Sequence, residues 1–104
     1  MVGTKAELKK AATKYLNYSI EGTIEDDLSH SRGLTYDCLK GGKHPLVLID
    51  GDLPQHIAIA TLAHEAVHVV NFIEDYLGIN DTSREFVAHG VGAIMRAVLK
   101  KILK

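Results

Sequence analysis

Apolar residues recur at helical spacing in three stretches of this chain and cluster as short extended runs in two others. The first stretch, "TKAELKKAATKYLNYSI", puts Leu8, Ala11, Ala12, Tyr15 and Leu16 on one face. Thr4 followed three residues later by Glu7 has the form of a capping box. An amphipathic helix of about four turns is expected there. A polar, turn-rich segment, "EGTIEDDLSHSRG", follows, with at most a short helical turn after Thr23. "LTYDCL" and "PLVLID" read as strands on either side of "KGGKH", whose two glycines favour a hairpin. From Gln55 to Leu77 there is no glycine or proline, and apolar residues keep helical spacing. Asp52 is a candidate cap for this helix, Pro54 suits its first turn and Gly78 is a fitting stop. A last helix is expected from about Thr82 to the tail, its apolar face carrying Phe86, Val87, Val91, Ile94, Met95, Val98 and Leu99. The expectation is one α+β domain over residues 1–104: N-terminal helix, small sheet, long helix, packed C-terminal helix.

Composition narrows the function classes. A chain of 104 residues, 46% hydrophobic, can build one modest core and is not of disordered type. The net charge of −1, with both signs mixed along most of the chain, advertises neither nucleic acid nor a charged membrane surface. Lys100, Lys101 and Lys104 complement the dipole at the end of the last helix. Cys38 is the single cysteine, so no internal disulfide is expected, and it reads as a small buried hydrophobe. The N-terminus has no apolar core of signal-peptide type, and no apolar run approaches the roughly 18 residues of a membrane span. A cytoplasmic protein is expected. Its oligomeric state is open, with the apolar last helix a candidate homodimer surface.

Chemistry concentrates in "HEAVH", residues 64 to 68. His64 and His68 stand four apart, so both imidazoles project from one helical face, about 6 Å apart at their base. That suits two corners of a tetrahedral zinc site. Glu65 is turned about 100° around the helix, within reach of a water held at an open metal position. A carboxylate there can take a proton from such a water and return it later. A catalytic site needs a third protein ligand. Glu85, 17 residues after His68, and His89, four further on, share a face of the last helix and are both candidates. Glu85 also fits a capping box with Thr82, but Asp81 is an equally good cap, which frees Glu85 for the metal. His89, Asn71 and Asp75 are candidates to orient an imidazole, and His89, Tyr36, Tyr76 and Arg84 to stabilise an oxyanion or contact substrate. His30, His44 and His56 form no second metal spacing.

"LAHEAVHVV" followed by "SREFVAHGVG" resembles a zincin metallopeptidase of the gluzincin type. The pattern from about residue 44 to 99 is also similar to small stand-alone zincin domains, including phage-encoded ones and the peptidase domains of repressor-cleaving and radiation-response regulators. The resemblance implies zinc held by His64, His68 and Glu85, with Glu65 as general base in the hydrolysis of a protein or peptide. It also implies that the strand at about 46–50 is the edge along which an extended peptide lies. Two departures stand out. His89 occupies the place where larger gluzincins often carry an acidic residue, and the chain has no second domain to wall a cleft. A scaffold that keeps the metal without turnover is the competing reading.

Overall fold

A computed structural model describes residues 1–16, 31–79 and 84–103. Along them the chain forms β1 (Val2–Gly3), α1 (Lys5–Leu16), β2 (Gly33–Tyr36), a 3-10 turn (Leu39–Gly41), β3 (Leu46–Asp50), α2 (Gln55–Leu77) and α3 (Glu85–Ile102). The order is the α+β one expected: N-terminal helix, small sheet, long helix, C-terminal helix. Strand β1 is an addition, too short to leave a pattern of its own.

The capping box forms at the start of α1. Thr4 N donates to Glu7 Oε1 at 3.0 Å, and Glu7 N donates to Thr4 Oγ1 at 3.2 Å. Hydrogen bonding from the Thr4 amide, and then from the Thr4 hydroxyl, holds the Glu7 carboxyl below its ordinary pKa. The segment with the expected helical turn after Thr23 lies outside the described residues.

The hairpin also forms, with Leu34 opposite Leu48 and Tyr36 opposite Leu46 in an antiparallel ladder. Its connection is tied to α1 by Lys43, which donates to Tyr15 O, and by the Tyr15 hydroxyl, which donates to His44 O, both at 2.6 Å. On the other side of β3, β1 pairs in parallel, giving the order β1-β3-β2. This corrects one expectation. The strand at 46–50 is the centre of the sheet and has both sides occupied; β2 is the edge that faces the long helix.

Strand alternation sorts the core into two layers. Leu46 and Leu48 turn towards α1 and pack with Leu8 and Ala12, together with Leu34 and Tyr36. Val47 and Ile49 turn the other way, towards Ala58 and Leu62 of α2 and Ile102 of α3. Helix α2 therefore lies between the sheet and α3. By length and composition α2 could cross a membrane, with a mean hydropathy of 1.3 over an 18-residue window. In the fold its Leu62, Ala66 and Val70 are buried against neighbouring elements.

Two helix starts differ from expectation. Asp52 does not cap α2; its amide is held by Asp50 Oδ1 at 3.0 Å, and Pro54 O accepts the first helical bonds, from Ile57 and Ala58. Arg84 has φ 62°, a left-handed conformation that a continuous helix cannot pass through, so α3 begins at Glu85 and not at Thr82. The candidate caps Asp81 and Thr82 lie outside the described residues. Gly78 ends α2 as expected, with φ 70° and its amide donating to Asp75 O.

Candidate metal centre

Helix α2 sets the geometry of the site. His64 and His68, one turn apart on its solvent side, bring their Nε2 atoms within 3.2 Å. Their rings meet edge to face, with centroids 4.8 Å apart. Phe72, a further turn along, stacks on His68 at 6.4 Å. At 3.2 Å the two Nε2 atoms can share a hydrogen bond, the tautomers setting which donates. A tetrahedral ion with Zn–N bonds of 2.0–2.1 Å separates two ligand nitrogens by about 3.3 Å. The observed spacing matches the separation of two nitrogens on one such ion. Imidazole pairs suit several transition metals, zinc among them.

Glu65 points the other way round the helix, against the sheet, and its side chain is only 7% exposed against 70% for His64. Its Oε2 lies 3.8 Å from His64 Nε2. Its Oε1 accepts a hydrogen bond from Thr35 Oγ1 at 2.8 Å. His64, Glu65 and His68 together place one ligand atom each within 4.8 Å of one another, the single such group among the described residues.

Beside this group runs an open cleft of about 480 Å³. Ser31, Arg32 and Gly33 line one side; Ile57, Ala60 and His64 line the other. The edge strand β2 leads into it. Asp50 N donates to Arg32 O, so Arg32, Leu34 and Tyr36 are the hydrogen-bonded positions towards β3. Gly33 and Thr35 therefore direct their backbone amides and carbonyls away from the sheet. No strand among the described residues pairs with them there.

The other expected residues fall elsewhere. Helix α3 runs antiparallel to α2, since Ile102 packs with Ala58 and Leu62, and Gly90 sits against Val70. At 1.5 Å per residue that register carries Glu85 about 10 Å beyond His68 along the helix axis. Glu85 stands outside the clustered group, and its Oε2 lies 3.3 Å from His89 Nε2, both side chains being exposed. Tyr36 is not beside the site: it alternates to the opposite face of β2 and packs under α1. Asn71, Tyr76 and Arg84 are exposed; His30 lies outside the described residues. Cys38 is half-buried, not buried as expected, and lines a separate hollow with Leu16 and Lys43; its partial burial pushes the thiol pKa up.

Thr35 is the residue that motif reasoning missed. The signal was present in the alternation. Once Leu34 and Tyr36 cover α1, Thr35 must face α2. Comparison with known protein families, curated proteins and solved structures finds no match.

Proposed function

We propose that the chain is a zinc-dependent metallopeptidase of zincin type, with His64 and His68 as metal ligands and Glu65 as general base. One observation carries the reading: two imidazole nitrogens spaced for a single ion, with a carboxylate oxygen 3.8 Å from one of them. An extended peptide would add to the outer edge of β2, its backbone pairing with Gly33 and Thr35 and its scissile carbonyl turned to the histidines. Zn²⁺ bound there supplies Lewis acidity, polarising a carbonyl and acidifying water. Glu65 Oε2 takes a proton from the water as its oxygen attacks the carbonyl carbon. As the C–N bond breaks, Glu65 returns that proton to the departing amine.

The site as folded offers two histidine ligands, and Glu85 would join them only if the first turn of α3 moved along α2. With the packing seen, Glu85→Ala should change zinc affinity by no more than about threefold; a loss of about tenfold or more would show that α3 shifts to deliver it.

The deciding experiment pairs metal analysis with peptide cleavage. Purified protein should hold zinc stoichiometrically, lose it on His64→Ala and keep it on Glu65→Gln. Glu65→Gln should abolish cleavage of a peptide library. Exposure of His64 and the open cleft support a second reading, a zinc-holding regulatory scaffold without turnover. Cleavage that persists unchanged in Glu65→Gln, or zinc binding with no cleavage at all, rules out the peptidase.

A further inference from the structure

Glu65 is held from the sheet, not from its own helix. Thr35 Oγ1, on the edge strand, donates to Glu65 Oε1 at 2.8 Å. The same hydroxyl lies 3.5 Å from the Glu65 carbonyl oxygen. With Oε1 occupied, Oε2 is the oxygen turned towards His64. A carboxylate without that bond could rotate about its last torsion and exchange the two oxygens, since that torsion is broad and roughly two-fold.

The neighbouring residue explains how the strand comes so close. A Cβ at Gly33 would stand 2.7 Å from Thr61 Cγ2, 3.1 Å from Leu48 O and 3.2 Å from Glu65 Cγ. Thr61 is nearly buried and its own hydroxyl is committed to Ile57 O at 2.8 Å, so it has little room to turn. Only glycine lets β2 lie near enough to α2 for the Thr35 hydroxyl to reach the carboxylate.

We infer that Thr35 is a positioning residue for Glu65: it fixes Oε1 so that Oε2 faces the histidine pair, and Gly33 provides the close approach this needs. The inference rests on the peptidase reading for its catalytic consequence, but not for its geometry. Because Thr35 also lends its backbone to the edge where a peptide would pair, seating a substrate on β2 bears on the same residue that aims the base.

Two measurements test it, one independent of turnover. In metal-free protein, isotope-edited infrared spectra resolve the Glu65 carboxylate stretch, assigned by its disappearance in Glu65→Gln. Thr35→Val, which keeps the shape and removes the hydroxyl, should shift that band, and Thr35→Ser should leave it in place. An unshifted band in Thr35→Val overturns the inference whatever the protein catalyses. On a cleaved peptide, Thr35→Val should lower kcat about 10- to 100-fold with KM and zinc affinity little changed, and Thr35→Ser should restore kcat. A shifted band with unchanged kcat, or a loss that Thr35→Ser fails to restore, also overturns it. If Thr35→Val does not fold, Thr35→Ser and Thr35→Ala read the same band. If no peptide is cleaved but the band shifts as expected, the peptidase reading fails and the positioning of Glu65 stands.

Discussion

His64 and His68 stand in solvent while Glu65 between them is nearly buried, and a turn of 100° per residue accounts for the difference. Exposed side chains of this kind contribute little to folding, so His64→Ala and His68→Ala should each alter stability by no more than about 0.5 kcal/mol. Urea unfolding would check this, and the zinc content of the same samples should fall. Glu7 offers a pH-dependent counterpart. Its pKa is lowered in the fold by the Thr4 amide and hydroxyl. A depressed carboxylate stabilises above its unfolded pKa, and that stabilisation is lost as pH falls through the folded value. Glu7→Gln should therefore lower Tm near neutral pH, with the gap to the wild type closing at acid pH. The capping box and the clustering of His64, Glu65 and His68 were legible from local sequence because each depends on residues within about one turn of a helix.

At the scale of elements, the contact of α2 with α3 depends on Gly90. A Cβ there would lie 2.6 Å from Val70 Cγ2, and Val70 is buried and β-branched, hence stiff. Gly90→Ala should cost about 1–3 kcal/mol by overpacking. Combining it with Val70→Ala should cost less than the sum of the two single changes, which a double-mutant cycle of unfolding free energies measures. The same register moves Glu85 away from the histidines. Sequence spacing could put Glu85 and His89 on one helical face, but not choose how far α3 slides along α2. Likewise, the pattern showed two strands but not which was the edge, because β1 is only two residues long and leaves no pattern in the sequence.

The molecule as a whole is organised around one central strand with apolar side chains on both faces. Leu48 is fully buried beneath α1, and Ile49 is buried beneath α2. Leu48→Ala should cost about 2–5 kcal/mol, a large share of the roughly 5–15 kcal/mol that holds a domain together. A marked fall in the urea midpoint would report it. Because the two layers share β3, loss of the α1 layer should also loosen β2, the paired strand that carries Thr35.

By itself the sequence determined the helices, the hairpin, the α+β order and the pairing of His64 with His68, since those follow from periodicity and from glycine, proline and cap chemistry over short distances. Tertiary structure alone decided that β2 is the edge, that Thr35 aims Glu65, that Tyr36 turns away and that Glu85 lies beyond reach of the pair as packed. Each of those depends on how two elements distant in sequence slide and face one another, and side-chain shape at contacts such as Gly33 with Thr61 and Gly90 with Val70 settles that registration.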